Sequence, residues 1–246
     1  TSDVASQLNQ LFPATAQTEP DWQKLACAMA LQRRFAIITG GPGTGKTTTV
    51  VKLLALLQQG AAGKLQIKLA APTGKAAVRL TESISGALSR LPAELTAAIP
   101  TDVSTLHRLL GALPNRRSFK HNSDNPLQLD VLVVDEASMV DLEMMAALLS
   151  ALPAKAQLVL LGDKDQLSSV EAGSVLGDLC RGADLGGYSA DTLSLLAPYS
   201  ELPLTTWQGS GTVLNQATVM LRHSHRFDSK SGIGQLAAAV NRGDTG

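Results

Sequence analysis

Residues 35–49 read FAIITGGPGTGKTTT: a β-rich apolar run, a glycine-rich turn and a helix start. The spacing Gly40-x-x-x-x-Gly45-Lys46-Thr47 fits the Walker A pattern. Glycines let backbone N–H groups close around phosphate oxygens, and a helix N-terminus adds its positive dipole end. Gly41, Pro42, Gly43, Thr44, Gly45, Lys46, Thr47 and Thr48 form the candidate cradle, with Lys46 reaching the β- and γ-phosphates and the Thr47 hydroxyl holding Mg²⁺. The competing reading is a glycine turn with an exposed lysine; the flanking strand and helix favour phosphate. A second acidic element follows in LDVLVVDEAS, where Asp135 suits the metal shell and Glu136 suits orientation of an attacking water and acceptance of its proton. Helix capping is the plainer role for that acid pair.

Two more stretches carry polar groups after apolar runs. Gln166 in LLGDKDQL is placed to offer its amide to a γ-phosphate, which would couple nucleotide state to movement. RHSHRF, residues 222–227, admits two chemistries. His223 and His225 at i, i+2 can ligate zinc from a strand, but no cysteine or third histidine lies near them in sequence. Arg226 beside Phe227 is a permanent planar cation suited to a phosphate.

The elements that must position these groups alternate. Strands are expected at Phe35–Thr39, Leu65–Ala71, Leu129–Asp135, Gln157–Gly162 and Thr218–Arg222. VLVV and LVLL do not alternate with polar residues, so they read as buried on both faces of a parallel sheet. Val50, Leu53, Leu54 and Leu57 share one helical face, with Gly60 where a C-cap belongs. Leu80, Ile84 and Leu88 mark another helix, and Asp141 can cap one carrying Met145, Leu148, Leu149 and Leu152 that stops before Pro153. The fold class is therefore α/β, a mainly parallel sheet with helices on both faces. Segment 112–128 is basic and turn-rich and reads as a small hairpin insertion or a plain solvated loop; 182–217 reads as a mobile excursion from the core. The net charge of +0 announces no overall basic field. Cys27 and Cys180 lack metal-type spacing and read as buried thiols in a reducing, cytoplasmic setting. No apolar run reaches membrane-spanning length. A first residue other than Met, Thr1, and an end in the turn-like NRGDTG suggest a piece of a longer chain.

GDKDQL resembles motif III of superfamily 1 helicases, and the match extends to GGPGTGKTTT, LAAPTGKAA, STLHRLLGA, LDVLVVDEASMVD, QLSSVEAGSVLGDL and SGIGQLAAAVNRGD. Together these resemble the RecD family, the α subunits of bacterial exonuclease V (RecBCD), from about Trp22 to the C-terminus. The resemblance implies the first RecA-like P-loop NTPase motor domain of an ATP- and Mg²⁺-using 5′–3′ DNA helicase, spanning 1–246, with single-stranded DNA, RecB and RecC as partners. It assigns Gln23 to reading adenine and Arg226 to the arginine finger. It also assigns Pro72, Thr73, Lys75, Thr105 and His107 to the DNA strand. For Thr73 and Thr105 helix capping is the alternative, for His107 a core position, for Lys75 plain solvation. QLSSVEAG offers no stacking ring, so the grip should fall on sugar-phosphate. The 112–128 insertion would act as a strand-splitting pin. With the second motor domain's motifs absent, the piece alone should bind nucleotide weakly and hydrolyse little. A relaxase-linked or stand-alone superfamily 1 helicase, a non-helicase P-loop ATPase and a module using nucleotide only as a structural ligand remain the rivals.

Overall fold

The computed structural model describes residues 2–14, 18–114, 116, 118–166 and 175–225. Among the described residues six strands form one sheet: β1 Phe35–Gly40, β2 Ile67–Ala71, β3 Val103–Thr105, β4 Val131–Val134, β5 Gln157–Gly162 and β6 Thr218–Leu221. Their order is β3-β2-β4-β5-β1-β6, and every pairing is parallel. Among the described residues the helices are α1 Ser2–Leu11, α2 Trp22–Leu31, α3 Lys46–Gly60, α4 Gly74–Leu88, α5 Ala93–Thr96, α6 Leu106–Leu110, α7 Leu142–Ala151, α8 Val175–Leu179 and α9 Ala190–Leu196.

The uninterrupted apolar strands do what their composition demands. In β4, Val131 and Val133 enter a core shared with α2, α3 and α4, while Leu132 and Val134 enter a second core shared with α6 and α7. All four are buried, so the sheet is covered on both faces. The Asp141 side chain caps α7 by accepting from the Met144 N–H at 2.7 Å, as its place before an apolar run suggests. Three expectations need correction. The strand β3 was not visible in PTDVSTLHR because only three residues pair, at the sheet edge. Gly60 is the last residue of α3 and Ala61 its C-cap; the positive φ angles that reverse the chain fall on Ala62 and Gly63. Leu149 faces outward on α7 and is 52% exposed, so it is not a core residue of that helix.

Segment 182–217 is also not an excursion from the core. Tyr188, Leu196, Tyr199 and Leu204 are buried in the same cluster as α2 and α3. Tyr188 donates its hydroxyl proton to the Thr218 carbonyl at 2.8 Å, tying the segment to the start of β6. The Arg222 guanidinium lies 4.0 Å from the Trp207 ring centre and 5.0 Å from that of Trp22. The two indoles meet edge-on at 4.8 Å. Such contacts gain from both aromatic packing and cation–π attraction. Segment 112–128 shows no hairpin ladder among its described residues. It has two isolated antiparallel bridges, Ala112 to Phe119 and Asn122 to Asn125.

This packing has a measurable consequence. Leu196→Ala should lower the unfolding free energy by about 2–5 kcal/mol, and Tyr188→Phe by roughly 1 kcal/mol. Denaturant unfolding of both variants reads this out; costs near zero for both would mean that 182–217 is detached from the core.

Candidate functional site

Apart from Gln23 on α2 and the 112–128 segment, the site motifs that lie among the described residues follow the C-terminal ends of strands. Four adjacent strands, β4, β5, β1 and β6, carry Asp135 and Glu136, Gln166, the glycine loop, and His223 to His225 respectively. The two remaining strands carry Pro72 and Thr73 after β2, and Thr105 at the end of β3. Parallel α/β sheets place ligands along this edge because the helix N-termini open there.

The glycine loop turns through positive φ at Gly43 (76°) and Gly45 (87°), which β-carbon-bearing residues rarely adopt. Among the described residues nothing accepts from the Gly43 or Gly45 N–H. Three successive loop carbonyls are instead held from outside. Ser224 Oγ donates to Pro42 O at 3.2 Å, the His225 N–H to Gly43 O at 2.8 Å, and Gln23 Nε2 to Thr44 O at 3.1 Å. The Lys46 ammonium donates to Gly40 O at 2.7 Å and to Gly41 O at 3.1 Å, which keeps it over the loop. Thr44 Oγ1 closes the turn by donating to Gly41 O. Thr47 stands in the first turn of α3 beside Lys46. Thr48 follows in the same first turn, on a side of α3 that also lines a groove of about 420 Å³ with α1.

Across the rim, Asp135 is drawn into place by its N–H, which donates to Ala70 O at 3.0 Å. Its Oδ1 accepts from the Glu136 N–H at 2.8 Å. Burial pushes the Asp135 carboxyl up to about 6; the Glu136 N–H opposes this, the Glu136 charge adds to it, and Lys46 opposes it. A buried carboxylate so disfavoured is what a divalent cation would stabilise. The Thr47 hydroxyl and the Asp135 carboxylate therefore suit Mg²⁺, and the loop suits a polyphosphate. Glu136 itself takes a left-handed conformation with φ of 51°. Such a non-glycine conformation costs on the order of 1–3 kcal/mol and is concentrated at working sites. Ser138, fully buried, donates to Gln166 Oε1 at 3.1 Å, which fixes that amide with its nitrogen available as a donor. Lys164 N donates to Thr39 Oγ1 at 3.0 Å, tying the same turn back to β1.

On the other half of the rim, Thr73 caps α4 and Thr105 caps α6, accepting from Ala76 N and Arg108 N. Capping and strand contact coexist there, since Thr73 and Lys75 are exposed and Pro72 and Thr105 half-buried. Ala71 and Thr105 are register partners, so these two segments lie side by side. His107 is exposed rather than a core residue, and its ring meets Phe119 of the 112–128 segment at 6.0 Å. Arg226 and most of QLSSVEAG lie outside the described residues. The His223 and His225 rings lie 4.9 Å apart, and among the described residues no group of three or more metal-ligating side chains converges. Ser138, Ser224 and the backbone of His225 were not singled out as site groups in the sequence. Only a fold that joins positions 28 and 182 residues apart reveals them.

Cys27 and Cys180 are both buried and unpaired; burial pushes the Cys180 thiol up to about 12. No described helix is long and apolar enough to cross a membrane.

A wholly parallel six-stranded sheet, with a glycine loop after β1 and an acidic pair after β4, defines a RecA-like P-loop domain. A family model described as "AAA domain" matches residues 23–172, and the chain belongs to that family. Its relatives are more particular and bear out the RecD resemblance. The RecBCD enzyme subunit RecD of Haemophilus influenzae is 46% identical over 251 residues, covering 98% of this chain and 38% of that protein. The subunit of the same name from Mycolicibacterium smegmatis is 44% identical, covering 90% of this chain and 35% of that protein. The ATP-dependent RecD2 DNA helicase of Deinococcus radiodurans is 43% identical over 61% of this chain and 18% of that protein. The chain thus spans well under half the length of these relatives.

The raised carboxyl of Asp135 gives a pH signature without divalent cation. A group whose folded pKa, about 6, exceeds its unfolded value contributes stability below the unfolded value, and this is lost as pH rises through 6. Asp135→Asn should therefore match wild type near pH 4 and exceed it at pH 7.5 in chelator, by on the order of 2–3 kcal/mol. Unfolding curves across that range check this; a constant difference at all pH values would remove Asp135 as a buried acid.

Proposed function

We propose that the chain is the first motor domain of an ATP-driven 5′–3′ DNA helicase subunit of exonuclease V, acting in double-strand-break processing and recombinational repair. The observation that carries this is the division of one sheet edge, with phosphate-type groups on β4, β5, β1 and β6 and two exposed helix starts on β2 and β3. ATP is the substrate, single-stranded DNA the track, and RecB and RecC the partners of the full-length protein, in the cytoplasm. The 112–128 segment would serve as the strand-splitting pin. Alone, this piece should bind nucleotide weakly and turn it over poorly, because a second motor domain supplies the rest of the site.

In this reading the loop amides and Lys46 bind the β- and γ-phosphates, and Gln23 meets the base. Mg²⁺, held by Thr47 and Asp135, would supply charge neutralisation between the phosphates. Glu136 orients the attacking water and accepts its proton. Arg226 stabilises charge on the transferring phosphoryl group, for which its planar fork is suited. Gln166 offers its amide nitrogen to the γ-phosphate while Ser138 holds its oxygen, so loss of that phosphate is felt between β4 and β5. Pro72, Thr73, Lys75, Thr105 and His107 hold the sugar-phosphate backbone. A stand-alone helicase is the second reading, favoured by the likeness to the Deinococcus RecD2 protein; co-purification of the full-length protein with RecB and RecC separates the two.

In the full-length protein, Lys46→Ala should abolish DNA-stimulated ATP hydrolysis with the fold intact. Glu136→Gln and Arg226→Ala should bind ATP nearly normally yet lose about 10³-fold or more in kcat. Steady-state kinetics with nucleotide titrations check this, and wild-type rates in Lys46→Ala would end the ATPase reading. Binding of mixed-sequence oligonucleotides should be indifferent to base identity and fall steeply with salt, because backbone contacts release counterions. Affinity that is flat with salt, or that tracks sequence, would contradict a backbone grip.

A further inference from the structure

The imidazole of His225 lies against the side chain of Gln23, Nε2 to Nε2 at 3.1 Å. Two nitrogens at this distance require one to donate and the other to accept. The orientation of the glutamine amide follows from its other partner. Thr44 O is a carbonyl 3.1 Å away and accepts only, so the group facing it is the NH₂ of Gln23. An amide nitrogen donates only, so His225 Nε2 must be the acceptor and the proton of the neutral ring sits on Nδ1. Both amide hydrogens of Gln23 are then used, one on Thr44 O and one on His225 Nε2. Gln23 Oε1 has no hydrogen-bond donor among the described residues. The amide is also confined sterically, since it packs onto Gly45 so closely that a β-carbon there would collide with Gln23 Nε2.

We propose that His225 is a specificity-determining positioning residue: by accepting from Gln23 it fixes the amide so that a bare oxygen faces the nucleobase. A lone acceptor favours a base that presents an amino group, as adenine does at N6. It repels one that presents a carbonyl oxygen there, as hypoxanthine does. This rests on the ATP-binding reading and deepens it. The base-reading property then belongs to a pair of residues 202 apart in sequence, not to Gln23 alone. The His225 N–H bond to Gly43 O and the Ser224 bond to Pro42 O hold the ring in place through the backbone, so they survive replacement of the ring.

The test compares binding of fluorescent ATP and ITP to the full-length protein. Wild type should prefer ATP by roughly ten-fold, the worth of one well-made neutral hydrogen bond. His225→Ala frees the amide to rotate and should bring the ratio to within about two-fold, chiefly by loss of ATP affinity. His225→Gln puts an acceptor oxygen where Nε2 was and should restore the preference. Before any nucleotide is added, nitrogen-15 spectra should show His225 as the Nδ1–H tautomer, and Gln23→Ala should abolish that bias. A merely structural role would weaken ATP and ITP equally. An unchanged ratio in His225→Ala, an equal loss for both nucleotides, no rescue by His225→Gln or an Nε2–H tautomer overturns the proposal. Wild type that binds ATP and ITP alike overturns it while leaving the ATPase reading standing; wild type that binds neither ends both.

Discussion

A chain that receives a polyphosphate on bare backbone must turn its carbonyl oxygens away, because each carries partial negative charge and the phosphate carries more. Here that constraint is met by donors from outside the loop. Pro42, Gly43 and Thr44 each surrender a carbonyl to Ser224, His225 and Gln23. One donor comes from α2 and two from the end of β6, so the loop keeps its shape only if the whole sheet brings those termini together. The order β5-β1-β6 contributes by seating the glycine-loop strand directly beside β6. The tryptophan–arginine stack of Trp22, Trp207 and Arg222 ties the residue before Gln23 to the residue two before Ser224. Segment 182–217 thereby supports the glycine loop through Trp207.

The two-sided core is the other half of the arrangement. Strands buried on both faces have no polar side on which to place functional groups, so chemistry is confined to their ends. Asp135 follows directly on β4 and is therefore a buried acid, with a carboxyl pushed up to about 6. Glu136, one residue later, takes a left-handed turn out of the strand. Two neighbouring acids thus receive different environments from the same strand end, one suited to a cation and one to a proton.

Much of this was legible in the sequence because it is local. VLVV and LVLL have to be doubly buried, Asp141 has to cap, and the glycine spacing has to bend; five of the six strands followed from such runs. What was not legible is what depends on distance or on weak local signals. Three paired residues at an edge gave no periodicity for β3. Gly60 reads as a C-cap because glycine usually is one, but it is the last helical residue, Ala61 is the cap, and Ala62 and Gly63 make the turn. The Ser, Gly and Pro content of 182–217 masked four core residues spaced irregularly along short helical turns. His223 and His225 read as possible zinc ligands or as neighbours of an arginine, while the contacts of Ser224 and His225 with Pro42, Gly43 and Gln23 arise only when β6 docks beside β1. The pairing of Ser138 with Gln166 joins the acidic motif to the following glutamine in a way neither motif encodes alone.

The central claim is that one sheet edge is divided, nucleotide on one side and nucleic acid on the other. Hydrogen–deuterium exchange on the full-length protein, with a non-hydrolysable ATP analogue and with oligothymidylate in turn, tests it most directly. The account expects the analogue to protect residues 40–48 and 135–138, and the oligonucleotide to protect residues 72–77 and 104–109. Protection of the same peptides by both ligands, or of neither set by its own ligand, would contradict it.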